Sequence, residues 1–212
     1  FIWQSERDGT NQLYLYNTNG EMLRKITEGK STVTNVYGTN YSGSKVWFQV
    51  ATNDGLDREI FVADIKKGKA KSIGTVSGTV TAYFSDDKNY YLSNYSSPTV
   101  PRVIAVMDND GKEKQVLLTA ENPLVNFYMP RSEVIKLRAL DSTILNARII
   151  KPINFDPEKK YPVVVYVYGG PHAQLVTNNW LTGANLWMNY MASEGYIVFT
   201  IDNRGSSGRG QA

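Results

Sequence analysis

The sequence predicts a run of β-propeller blades followed by the first elements of a parallel α/β sheet. Three observations carry this reading. An aromatic strand signal recurs every 44 residues, Gly turns fall at matching places in each repeat, and the hydrophobic period changes near residue 130. The composition suits a strand-rich globular chain: of 212 residues 42% are hydrophobic and 20% charged, with 14 Tyr, 7 Phe, 4 Trp and 17 Gly.

Trp3, Trp47 and Tyr91 each lie in a short aromatic strand: Phe1–Ser5, Lys45–Ala51 and Asn89–Tyr95. A polar turn and a second apolar strand follow each of them, at Asn11–Asn17, Arg58–Ile65 and Pro101–Asp108. These run into Asn19-Gly20, Lys67-Gly68 and Asp110-Gly111, and third strands follow at Arg24–Thr27, Ala70–Gly74 and Lys114–Thr119. Leading strands stand at Val33–Tyr37 and Val80–Phe84. Four short antiparallel strands per repeat of roughly 40–50 residues describe a propeller blade. A generic antiparallel sandwich is the alternative, but it has no need for equally spaced aromatic anchors. About two and a half blades are present where closed propellers use 4–8.

Beyond Pro130, Glu133–Leu140 and Thr143–Lys151 read as a hairpin turning at Asp141-Ser142. Tyr161–Tyr168 is a continuous apolar run, expected of a strand buried on both faces, and it ends abruptly in Gly169-Gly170-Pro171-His172. From Thr177 to Gly195 the period is helical, with Trp180, Leu181, Ala184, Trp187, Met188 and Met191 on one face. Asn178, Asn179 or Asn185 caps its start, Gly183 weakens the first turn so that the well-formed helix is expected only near Asn185, and Gly195 suits the C′ position. The strand Tyr196–Ile201 completes a βαβ unit, closed by Asp202-Asn203-Arg204-Gly205.

The composition excludes several functions. With no cysteine there is no disulfide framework or thiol nucleophile, and a single histidine rules out a multi-histidine metal site. A net charge of +3, dispersed along the chain, gives no case for a nucleic-acid partner. The apolar runs are of strand length, short of the roughly 20 residues of a membrane span. Phe1 opens the chain without an initiator methionine or signal core, which reads as an internal stretch.

Acyl-transfer enzymes of the α/β-hydrolase class build part of their oxyanion hole from the loop after the third strand. Tyr168-Gly169-Gly170-Pro171 occupies that place, where a tyrosine hydroxyl can donate to a developing oxyanion. On spacing alone, an ordinary strand aromatic followed by a turn fits equally well. Lys160 to Gln174 (KYPVVVYVYGGPHAQ), Asp202 to Gly210 (DNRGSSGRG) and Ser5 to Gly9 (SERDG) together resemble the prolyl oligopeptidase family of serine peptidases, in its dipeptidyl peptidase IV branch. The resemblance implies blades of a propeller over 1–130 and the start of an α/β-hydrolase domain over 131–212, reached before the nucleophile.

The resemblance assigns the Tyr168 hydroxyl to the oxyanion hole. It implies a parent enzyme that releases X-Pro or X-Ala dipeptides from peptide amino termini, needs no cofactor or metal, forms a homodimer, and is periplasmic or secreted. No G-x-S-x-G occurs, since Gly205-Ser206-Ser207-Gly208 is followed by Arg209, so the 212 residues by themselves are expected to be inactive. Glu6 has no neighbouring carboxylate and does not match the family's paired glutamates. His172 is expected at a loop rim rather than as the base, Asp202 as a loop anchor, and Arg204 in a salt bridge that fixes its loop. Ser206 and Ser207 read as loop hydroxyls, and Trp180 and Trp187 as core. An acylaminoacyl-peptidase-like hydrolase and a non-catalytic propeller interaction module are the competing readings.

Overall fold

The computed structural model describes residues 1–74 and 77–210. Strands β1 (Ile2–Ser5), β2 (Gln12–Tyr16) and β3 (Met22–Lys25) form one antiparallel sheet. Strands β4 (Thr32–Thr39), β5 (Lys45–Thr52), β6 (Asp57–Asp64) and β7 (Lys69–Ser72) form the next meander. Strands β8 (Thr79–Phe84), β9 (Tyr90–Ser97), β10 (Val100–Asp108) and β11 (Glu113–Thr119) form a third. A single parallel pair, Arg58 opposite Thr79, joins the second unit to the third. The predicted strands match these within a few residues, and the blade turns carry Gly20, Gly68 and Gly111 at positive φ.

Strand alternation explains how the blades stack, because successive side chains point to opposite faces. Val46, Phe48 and Val50 of β5 pack with Leu13 and Ile26 of the first blade. Trp47, on the opposite face of β5, packs with Val80, Ala82 and Tyr91 of the third blade. The aromatic anchors are therefore not equivalent, contrary to what their equal spacing suggests. Trp47 and Tyr91 enter the same interface from opposite blades, with Phe84 in ring contact with both, whereas Trp3 is 56% exposed. A shift of one residue in strand position reverses the face. The spacing marks strands, not faces.

A second kind of sheet follows. Strands β12 (Ser132–Arg138) and β13 (Ile144–Ile150) pair as the predicted hairpin, with Ser142 at φ +71° in its turn. Strand β14 (Val163–Val165), helix α1 (Leu186–Ser193) and strand β15 (Ile197–Ile201) give the predicted parallel crossover. The sheet order is β12-β13-β15-β14. Ile150 and Val198 of the sheet pack against Ala184 and against Met188 and Ala192 of α1.

Two expectations about this half are corrected. The apolar run Tyr161–Tyr168 predicts one strand buried on both faces, but only Val163–Val165 is strand, and Val165 and Tyr168 are each 61% exposed. Strand β14 is the sheet's edge and has β15 as its sole strand partner among the described residues. The helical period opens at Thr177, with the well-formed helix expected only near Asn185. A 3-10 turn spans Trp180–Gly183, where Leu181, Thr182 and Gly183 all have positive φ, and α1 begins at Leu186, as that expectation has it. Asn185 caps α1 by accepting from Met188 N–H at 3.0 Å. Gly195, at φ +92°, ends it: Gly195 N–H donates to Ala192 and Tyr196 N–H to Met191, the paired bonds of a Schellman motif. Trp187, expected in the core, is half exposed.

Candidate active site

Tyr168 leaves the edge strand β14, whose continuation is held by Tyr166 N–H donating to Phe199 C=O at 2.8 Å. Gly169 turns the chain at φ +72°, and the Tyr168 ring lies over Gly170. Two residues on, His172 has φ +70°, a conformation that costs a non-glycine residue about 1–3 kcal/mol and needs external support. The support comes from the loop after β15. His172 N–H donates to Gly205 C=O at 3.1 Å, and the Ser207 hydroxyl donates to His172 C=O. The loop after Tyr168 and the loop after β15 thus lie against each other.

Asp202 stands at the end of β15 and is 3% exposed. Its carboxylate accepts from Leu175 N–H at 2.8 Å and from Val176 N–H at 3.1 Å. Burial pushes this carboxyl up, while the two N–H donors and then the positive charges of Arg148 and Arg209 pull it back. Asp202 is accordingly an anchor for the chain after His172. Arg204 pairs with Asp141 in the β12–β13 turn, so it ties the same loop to the hairpin. Ser206 is buried and its N–H donates to Asn203 C=O, closing a local turn. His172 and Tyr168 are exposed, and Trp180 is half-buried.

Sequence reasoning assigns no role to three residues that hold this region, although one of them, Gln174, ends the Lys160 to Gln174 motif. Arg148 in β13 is 1% exposed, and its guanidinium donates to Leu175 C=O at 2.8 Å, Thr182 C=O at 2.7 Å and the Thr200 hydroxyl at 3.1 Å. Burial lowers its pKa to about 10, while the Asp202 and Tyr166 charges act in the opposite sense. One signal points to it: Asn146, Arg148 and Ile150 alternate on the inward face of β13. The other two are Arg58 and Gln174, which meet across the blade boundary. Arg58 donates to Gln174 Oε1 at 2.5 Å, and Gln174 donates to Gly55 C=O at 2.7 Å and Val176 C=O at 2.9 Å.

Between the blades and these loops lies an open cleft of about 600 Å³. Glu6, Thr34 and Arg58 line it from the blade side, and His172, Arg204 and Ser207 from the other. Tyr168 sits just outside the lining, three residues before Pro171, which is in it. The arrangement is a set of loop backbones, hydroxyls and cations facing a propeller across solvent. Among the described residues there is no cluster of three or more metal-ligating side chains, and no helix is long and apolar enough to cross a membrane.

Consecutive blades are joined here to a mixed sheet, with a Gly-Gly-Pro loop beside the junction. Residues 1–102 match the family described as the dipeptidyl peptidase IV N-terminal region. A protein assigned as dipeptidyl peptidase 4 in Emericella nidulans is 29% identical over all of this chain, which covers 28% of its length. Human dipeptidyl peptidase 8 is 28% identical over 87% of the chain and 22% of its own length. Porphyromonas gingivalis dipeptidyl peptidase 4 superposes with a TM-score of 0.89 at 35% identity, covering 100% of this chain and 30% of that one. A Bacteroides ovatus protein assigned as a dipeptidyl aminopeptidase IV superposes with a TM-score of 0.90 at 41% identity, covering 99% and 33%. The chain is thus similar to dipeptidyl peptidase IV proteins along its whole length, and it spans about a third or less of the relatives it matches.

Proposed function

We propose that this chain is part of a dipeptidyl peptidase IV-like serine exopeptidase that releases X-Pro or X-Ala dipeptides from peptide amino termini. Residues 1–130 are the last blades of its propeller, and 131–212 open its α/β-hydrolase domain. One observation supports this most directly: the Tyr-Gly-Gly-Pro loop leaves the third strand of the mixed sheet and runs straight into the wall of the cleft. In this reading the Tyr168 hydroxyl donates to the oxyanion that forms when a serine attacks the scissile carbonyl. Residues 1–212 contain no G-x-S-x-G, so the nucleophile, its acid and its histidine belong to further chain. The propeller side of the cleft restricts entry to unfolded peptide ends.

The test uses the whole polypeptide that carries this chain. Gly-Pro-p-nitroanilide is expected to be cleaved, and Tyr168→Phe is expected to lower kcat about 10²–10³-fold with little change in KM, the loss typical of one oxyanion donor. Cleavage of acetyl-Ala-p-nitroanilide in preference to Gly-Pro would move the protein to the acylaminoacyl-peptidase class. Hydrolysis of neither, with no labelling by a fluorophosphonate, would refute the enzyme reading.

A further inference from the structure

The turn between β5 and β6, in the second blade, reaches out of the propeller and grips the segment that follows Tyr168. Its 3-10 turn spans Asn53–Gly55, with Asn53 and Asp54 both at positive φ. Every polar atom of the Gln174 side chain is committed to this contact region: its oxygen to Arg58, its two N–H groups to Gly55 C=O and Val176 C=O. Arg58 in turn donates to Gly55 C=O at 2.7 Å and Asp57 C=O at 2.9 Å, so it is fixed to the turn it belongs to. Four residues after Gln174, Asn178 donates by its side chain to Asp57 at 2.7 Å and by its N–H to Leu56 C=O at 2.9 Å.

From the sheet side, Asp202 and Arg148 hold the intervening Leu175 and Val176. Residues 174–178 are therefore clamped between two bodies. Gly169 and Gly170 give the preceding stretch little stiffness of its own. With β14 fixed at Tyr166 and His172 bonded to Gly205 and Ser207, the clamp at 174–178 adds a further hold on the chain that carries Tyr168.

We propose that Arg58 and Gln174 are positioning residues for catalysis, a clamp by which the second propeller blade sets the geometry of the loop bearing Tyr168. This inference rests on the peptidase reading above. Neither side chain contacts the reacting atoms; each acts through the backbone of residues 174–176. The consequence is that the propeller does more than limit access. It also determines how well the oxyanion loop is ordered, so a movement of this blade turn changes turnover.

The whole polypeptide is assayed with Gly-Pro-p-nitroanilide as wild type, Gln174→Met, Arg58→Met, the Arg58→Met/Gln174→Met double variant and Arg58→Lys. Each Met variant is expected to lose about 10-fold to 100-fold in kcat with KM within about twofold, since a misplacement of about 1 Å costs on that order. The double variant is expected to lose no more than the worse single variant, because both disable one clamp. Arg58→Lys is expected to recover part of kcat by keeping a donor to Gln174. Hydrogen exchange of the 174–178 amides, expected to quicken in Gln174→Met, reports on the clamp without catalysis should Arg58→Met fail to fold. Unchanged kcat beside a lowered melting temperature would overturn the proposal, as would additive losses in the double variant or unaltered exchange. Wild-type protein inactive on Gly-Pro-p-nitroanilide would instead refute the peptidase reading, and this inference with it.

Discussion

Replacing Arg148 by methionine tests the packing of the sheet that carries the candidate site. The guanidinium is buried and donates to two backbone carbonyls, Leu175 and Thr182, and to the Thr200 hydroxyl. Methionine keeps much of the apolar stem but removes every one of these donors. Each buried carbonyl left without a partner costs about 1–3 kcal/mol. Asp202 also loses the positive charge that offsets its burial, and Leu175 is the shared element, since its N–H donates to Asp202 and its C=O accepts from Arg148. Losses in one network are not additive, so the expected total is about 3–5 kcal/mol, the range for removing one partner of a buried ionic group. Arg148→Lys keeps the charge but loses the fork, and is expected to cost less than Arg148→Met. Urea unfolding of the whole protein, followed by tryptophan fluorescence and circular dichroism, measures both. A loss below about 1 kcal/mol for Arg148→Met would refute the reasoning, because it would mean that these carbonyls do not depend on the guanidinium.

Three further outcomes are expected. Trp47→Phe removes the indole N–H bonded to Asn109 C=O at 3.0 Å in the blade interface and should cost about 2 kcal/mol, so an unchanged urea midpoint would contradict that bond. Gly111 has φ +88°, and a Cβ there would collide with the Ile73 carbonyl, so Gly111→Ala should destabilise by more than about 2 kcal/mol; a wild-type melting curve would count against the close approach of these two blades. Asp108, held by Lys114 and by the N–H groups of Lys112 and Asp110, is lowered from 3.8 to about 2. Its folded-state pKa lies below the unfolded one, so its contribution is present above about pH 4 and is lost as pH falls towards 2. Asp108→Asn should flatten the acid limb of stability against pH in that window, and an identical limb would remove Asp108 from the account.

The blades are legible in the sequence because their signals are local. Strand alternation, a Gly turn and the next strand lie within a few residues of one another, and each of the predicted blade strands is found near its place. Faces are less legible, as Trp3, Trp47 and Tyr91 show, since reversing a face takes only one residue of register. In the second half the apolar run Tyr161–Tyr168 marks a strand but not its length, since only Val163–Val165 is strand paired with β15 among the described residues. The helix start is legible from Gly183 and the cap at Asn185, whereas the positive φ of Leu181 and Thr182 is not, since neither is a residue type that favours it.

The candidate site shows the same division more sharply. Tyr168, Gly169, Gly170 and Asp202 are visible because each sits in a contiguous motif at a strand end, where backbone geometry and chemistry coincide. What holds them is scattered: Arg58 bonds to a side chain 116 residues away, and Asn178 reaches back 121 residues to Asp57. In the sequence Arg58 is only a cation beginning an amphipathic strand, and Gln174 only the polar residue that ends the Lys160 to Gln174 motif, with no role of its own. Their hydrogen bonds to each other and to Gly55 single them out, and the bonds between them exist only once the blade and the sheet are brought together. A site built between two bodies therefore shows its reacting groups in local motifs and its positioning groups only in the fold. For this chain, that makes the blade turn at residues 53–58 as much a part of the loop's geometry as the glycines that follow Tyr168.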